Sequence, residues 1–249
     1  MTGKSACPPR MRLEHEHTPT AIRERLAAGP HNSYLRDWVY GGIDGSVTTF
    51  AVVTGVVGAS LSPAVVLILG VANLLGDGFS MAASNYSGTR TETQEHEALR
   101  VREERHIAVD PEGEREEVRQ IFAGKGFEGE ELERVVSVVT SDRDRWIALM
   151  LAEEYGLPPQ VRPPLAAALS TFASFILCGV VPLLPFVFAA PHPFRMSLAL
   201  TLVTFFLIGS GKSRWLTISW WKAGLETLSI GGAAAALAYL AGLAMKHAV

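Results

Sequence analysis

Three pairs of metal-binding side chains sit at helical spacing in the middle of the chain: Glu103 with His106, Glu114 with Glu117, and Met150 with Glu154. Residues three or four apart share one face of a helix, so each pair presents its two donors together. Brought together, the three faces form a carboxylate-rich cage with one imidazole and one thioether. That donor set suits Fe2+, Mn2+, Co2+ or Zn2+ better than Ca2+, which prefers oxygen ligands alone. Any one pair by itself also fits a solvated charged face. Glu103-x-x-His106 matches half of the paired Glu-x-x-His motif of di-iron helical bundles. Its only other copy, Glu14-x-x-His17, lies in the N-terminal tail, so an oxidase is the weaker reading. The tail run Glu14-His15-Glu16-His17 reads as solvated, with metal binding as its alternative.

A second polar group is embedded in apolar sequence. About 20 mostly apolar residues suffice to cross the hydrocarbon of a bilayer. Residues 36–58 form such a run, yet Asp44 lies about two turns inside it. A carboxylate at that depth costs roughly 2.5–3.5 kcal/mol, and is retained where it faces a cavity, an ion or a partner. Gly41, Gly42 and Gly45 surround it, which lets other helices approach and allows an irregular turn with exposed carbonyls. A span that starts late would instead leave Asp44 at headgroup level. The next apolar run, about 64–84, carries Asn73, Asp77, Met81 and Asn85 at intervals of four, along one drifting helix face. A thioether one turn from a carboxylate, beside the helix of Asp44, is a way-station for a transition metal; the alternative is packing for Met81 and interhelical hydrogen bonding for Asp77.

The elements that must position these groups follow from the composition. The chain is 48% hydrophobic and 19% charged, with a mean hydropathy of +0.21 over 249 residues. Of its 25 Asp and Glu, 18 fall between Thr89 and Leu157, against 10 of the 22 Lys and Arg. Apolar spans are therefore spliced to one acidic, water-exposed insert. Such an acidic insert argues against nucleic acid as a partner. Cys7 and Cys178 are too far apart in character, one in the tail and one in an apolar run, to suggest a disulfide framework. No cleaved signal peptide is evident, so the first span serves as its own insertion signal.

In chain order, Thr18-Pro19 opens a short surface helix that Gly29-Pro30 ends. Two apolar spans follow, joined by the short link 59–63, which forces an antiparallel hairpin. The insert reads as four helices, about 91–108, 110–123, 128–139 and 141–155, each with one apolar stripe. Three further spans, about 165–189, 196–208 and 223–243, complete the chain; Pro182 and Pro185 bend or end the first of these. The expected fold is thus all-α: a five-span transmembrane helical bundle with a cytoplasmic helical metal-binding insert between spans 2 and 3. The expected divisions are a tail at 1–33, spans 1 and 2 at 34–88, the insert at 89–160 and spans 3 to 5 at 161–249. Basic residues gather before span 1 (Arg10, Arg12, Arg23, Arg25, Arg36), before span 3 (Arg162) and between spans 4 and 5 (Lys212, Arg214, Lys222). By the positive-inside rule these segments, with the N-terminus and the insert, are cytoplasmic.

With these residues in place, the chain resembles the vacuolar iron transporter family from about Tyr34 to its C-terminus. The resemblance rests on Asp44-Gly45 in the first span, on Gly76-Asp77-Gly78-Phe79-Ser80-Met81 in the second, on the acidic helical insert and on the five-span count. It implies a homodimer in a lipid bilayer, a metal path near the dimer interface, and a cytoplasmic domain that collects Fe2+ for exchange against protons. The family's intramembrane aspartate and methionine match Asp44 and Met81. Its insert ligands match Glu103, Glu114, Glu117, Met150 and Glu154. His106 departs, standing where the family usually has Glu; a neutral imidazole lowers the charge of the site and favours softer ions such as Zn2+ or Co2+.

The function expected is a secondary transporter, not an enzyme. It would export Fe2+, with Mn2+, Zn2+ or Co2+ as alternative cargo, and take protons as coupling ion. Asp44, Met81, Asp77 and Asn73 line the path, and Glu103, His106, Glu114, Glu117, Met150 and Glu154 collect the metal. The rival is a membrane-anchored metal buffer or sensor without transport. The host membrane is the cell membrane in a prokaryote and the vacuolar membrane in a plant or fungus.

Overall fold

The structure, a computed structural model, describes residues 16–29, 33–158, 161–214 and 217–248. Among them all regular structure is helical. Glu14, His15 and Cys7 lie outside the described residues. The N-terminal unit contains one helix, α1 (Pro19–Ala28), whose Thr18 side chain accepts from the Ala21 N–H at 3.3 Å. It ends at Gly29, whose φ of 70° is a conformation that glycine takes without strain.

The second unit begins at Tyr34. It holds five helices long and apolar enough to cross a membrane. They are α2 (Leu35–Gly58), the first part of α3 (Pro63–Val109), α7 (Pro164–Gly179) with its short continuation α8 (Leu184–Val187), α9 (Pro193–Lys212) and α10 (Trp220–Ala248). A 3-10 turn at Val181–Leu183 joins α7 to α8 at the two prolines that sequence marks as a break. The central helix is α2, which packs against α3, α7, α9 and α10.

Its tightest neighbour is α7, because glycine removes the side chains that would hold the backbones apart. A Cβ on Gly45 would fall 2.3 Å from the Phe175 carbonyl oxygen, and one on Gly41 2.3 Å from that of Thr171. Small residues four apart on one helix face allow this approach. The glycines therefore serve helix packing, and α2 runs unbroken through them; the irregular turn expected beside Asp44 is absent. The unbroken helix pairs its own backbone N–H and C=O groups, so α7 can approach closely without leaving any of them unsatisfied.

A second departure concerns α3. Sequence suggests that a span ends near Ser84 and a new helix starts near Thr91, whereas α3 continues for 47 residues, about 70 Å. Nothing in 85–90 stops it: there is no proline, and the Thr91 and Thr93 hydroxyls bond back to the Ser87 and Thr89 carbonyls at 2.9 and 3.0 Å.

Beyond the spans, the end of α3 packs with α4 (Pro111–Gly124), α5 (Gly129–Thr140) and α6 (Arg143–Glu153) into a small helical lobe. Asp110 caps α4 through the Gly113 N–H, and Asp142 caps α6 through the Arg145 N–H. Val118, Val136, Val139, Trp146 and Met150 form the lobe core. Arg119 clasps α4 to α5 with a two-pronged pair to Glu133 at 2.7 and 3.1 Å.

Where α2, α3 and α7 meet, Asp37 is 3% exposed. Its two oxygens are held by Asn85 Nδ2 at 2.9 Å and Arg162 Nη1 at 3.0 Å, and Asn85 also reaches Thr171 Oγ1 at 2.7 Å. Removing one partner of such a pair leaves a buried charge uncompensated. Arg162→Ala is therefore expected to lower the unfolding free energy by on the order of 3 kcal/mol, with part of the loss recovered by adding Asp37→Asn, as measured by equilibrium unfolding in detergent. Gly45→Ala is expected to cost about 1–3 kcal/mol through overpacking against α7, while Gly88→Ala on α3, where a Cβ meets nothing within 4 Å, leaves stability unchanged or raised.

Candidate metal centre

In the lobe, the turn at Asp110-Pro111 folds the first turn of α4 back onto the last turns of α3. The Asp110 N–H bonds to the His106 carbonyl at 2.8 Å and the Glu114 N–H to the Asp110 carbonyl at 3.2 Å. The reversal brings Glu103, His106 and Glu114 together, one ligand atom from each lying within 4.8 Å of the others. His106 Nδ1 stands 3.5 Å from Glu103 Oε1 and 3.4 Å from Glu114 Oε1. Glu103 is 0% and Glu114 6% exposed. Each keeps one oxygen, Oε2, buried without a hydrogen-bond partner. Buried carboxylate oxygens in native proteins are almost always satisfied, so two such orphans in one cluster call for a further partner, an ion or a water.

Glu117 and Glu154 lie at the exposed edge of this cluster. Their charges act on its members: Glu117, Glu103 and Glu154 all press on Glu114, and Glu154 feels Glu103, Glu117 and His106. Met150 is wholly buried in the lobe core, one turn before Glu154, against Val118 and Trp146. Tyr155, which sequence reasoning passed over, donates its hydroxyl to Glu103 Oε1 at 2.9 Å. Burial first, then the hydrogen bond to Glu103, pushes its pKa well above the usual value, so it stays a donor.

The second predicted group lies between α2 and α3. Asn73 Nδ2 reaches Thr48 Oγ1 at 3.3 Å, and Thr48 Oγ1 bonds back to the Asp44 carbonyl at 2.9 Å. With the Asn85–Asp37 bond, this fixes an antiparallel register in which Asp77 stands level with Asp44 and Met81 one turn nearer the Asp37 end. The Asp44 and Asp77 carboxylates are near enough to repel each other. Asp77 itself is exposed, on the side of α3 that carries Asn73 and Met81 and away from the exposed apolar residues Leu75 and Phe79. Met81 is partly buried against the cluster around Val53, Leu74 and Phe175.

Two acid groups, one in an apolar bundle and one in an acidic lobe, are thus joined by a single helix. The profile of the VIT family matches residues 35–243, which include both groups. The chain belongs to the VIT family. It is 30% identical to a vacuolar iron transporter of Toxoplasma gondii over 230 residues, 88% of this chain and 76% of that protein. It is likewise 30% identical to vacuolar iron transporter 1 of Arabidopsis thaliana, covering 86% of each chain, and to a vacuolar iron transporter of Plasmodium berghei, covering 86% and 82%. With five apolar helices, this VIT family member is a multi-pass membrane protein.

The donor set of the VIT family lobe, two buried carboxylates and an imidazole with two more carboxylates at the rim, fits a divalent transition metal. Burial, and then the charges of Glu117, Glu103, Glu154 and Asp110, push Glu114 up to about 7 from its ordinary 4.5. The folded state thus binds this proton more tightly than the unfolded chain does. The metal-free protein is expected to lose stability as pH rises from about 4.5 to 7. A cation that replaces the proton reverses this. Thermal unfolding with and without Mn2+ is expected to show little metal stabilisation at pH 5 and a clear rise at pH 8; equal stabilisation at both would contradict the competition.

Proposed function

We propose that this chain is a secondary transporter that removes Fe2+ from the cytoplasm in exchange for protons, with Mn2+ as the nearest alternative cargo. Iron as cargo is supported by its relatives, which are named as iron transporters. The observation that carries the reading is one helix, α3, bearing Asp77 and Met81 at lipid depth and Glu103 and His106 in the lobe. Glu103, His106, Glu114, Glu117 and Glu154 gather the ion, with Met150 as a soft donor behind them. Asp44, Asp77, Met81 and Asn73 then pass it across.

Met81 and Glu103 are ~33 Å apart along α3, so the lobe feeds the path by raising the local metal concentration rather than by handing over ligands one for one. At the membrane, Asp44 alternates between a proton and a cation, since a metal and a proton compete for the same oxygen. The basic residues flanking the spans support a cytoplasmic lobe and N-terminus. An exposed Asp77 within an apolar span supports a homodimer that covers it. His106 widens the selectivity towards Zn2+ and Co2+.

A buffer or sensor is the competing reading, favoured by the fact that three candidate ligands gather within one chain. Proteoliposomes with an imposed pH gradient separate the two. The parent is expected to carry Fe2+ and Mn2+, and Asp44→Ala to lose at least about ten-fold of the flux while still binding metal in the lobe. Flux in Asp44→Ala equal to the parent's would remove the carboxylate from the exchange, and a parent that binds metal without flux would establish the buffer.

A further inference from the structure

Tyr155 belongs to no ligand set inferred from sequence, and its place in the fold is specific. α6 ends at Glu153, Gly156 takes a φ of 65°, and the Leu157 N–H reaches back to the Leu151 carbonyl at 2.9 Å. This turn holds the Tyr155 ring half-buried against α3, where its hydroxyl meets Glu103 Oε1 at 2.9 Å. Glu103 is itself wholly buried, and its other oxygen, Oε2, has no partner. Oε1 of the carboxylate thus accepts from Tyr155 and lies 3.5 Å from His106 Nδ1, while Oε2 has no partner.

We propose that Tyr155 is a positioning residue for the bound cation: its hydroxyl occupies Glu103 Oε1, fixes the carboxylate rotamer, and makes Glu103 a single-oxygen ligand through Oε2. The inference rests on the lobe being a cation site. Its consequence is selectivity. Ca2+ takes six to eight oxygens and commonly draws both oxygens of a carboxylate, whereas smaller transition ions are content with fewer donors at shorter distance. A glutamate restricted to one oxygen, beside an imidazole, therefore favours Fe2+, Mn2+ or Zn2+ over Ca2+. Hydrogen-bond partners of metal ligands act by holding the ligand in its binding orientation, and their loss commonly weakens metal affinity by about 10–100-fold.

The test uses the purified full chain in detergent and titrates Mn2+ and Ca2+ separately. Tyr155→Phe removes one hydroxyl and keeps the ring. It is expected to raise the Mn2+ Kd by about ten-fold. The Ca2+ Kd is expected to change by less than about two-fold, because the freed oxygen offsets the lost orientation. The Mn2+ preference over Ca2+ then falls about ten-fold. A merely structural role would weaken both ions in step, and that result, or an unchanged Mn2+ Kd, would overturn the proposal. Glu103→Gln supplies the second arm: with this ligand already altered, adding Tyr155→Phe is expected to change Mn2+ affinity no further, and an equal loss in that background would also overturn it. A parent chain that binds no Mn2+ would end the cation-site reading itself, a failure distinguishable from a parent that binds and a variant that binds alike.

Discussion

Buried negative charge without a counter-charge is the constraint around which this molecule is arranged. Moving a carboxylate out of water is costly unless it is paired or hydrogen-bonded. Asp37 meets the rule within the protein, with Arg162 on one oxygen and Asn85 on the other. Glu103 and Glu114 do not: each keeps an oxygen buried and unpartnered, with only a half-exposed imidazole between them. The first arrangement is a structural joint, and the second has the donor set that a divalent cation would fit. Within the spans, Asp44 and Asp77 stand level with each other on α2 and α3, and among the described residues neither is in an ion pair.

One helix links the two. Because α3 has no break between Pro63 and Val109, the lobe is an extension of a membrane span rather than a domain on a flexible tether. The α2–α7 contact is its counterpart within the bundle. There the glycines bring backbones together so closely that Gly41 and Gly45 leave no room for a methyl group. A bundle packed in this way places Asp44 by the rigidity of its helix, and turns its face towards α3.

Much of this was legible in the sequence, for identifiable reasons. Span boundaries follow from long apolar runs, and the caps at Thr18, Asp110 and Asp142 from residues whose side chains compete for free N–H groups. The pairing of Glu103 with His106 follows from helical spacing, whereas their meeting with Glu114 is set by the reversal at Asp110-Pro111, which spacing alone leaves open. The continuity of α3 was not legible, since polar residues at 85–91 suggest an exit from the membrane without saying whether the helix stops. Nor was the role of the glycines, because a small residue signals close approach but not what approaches. Tyr155 and the Asp37–Arg162 pair were missed because their partners lie 52 and 125 residues away, and no local pattern encodes such distances.

The proposed function rests on Glu103, His106 and Glu114 holding a divalent ion. Anomalous diffraction from crystals of the full chain grown with Zn2+ tests it directly. A single strong peak is expected in the lobe, about 2.0–2.2 Å from one carboxylate oxygen each of Glu103 and Glu114 and within bonding reach of His106. A peak confined to the exposed carboxylates, or none in the lobe at saturating metal, would contradict it.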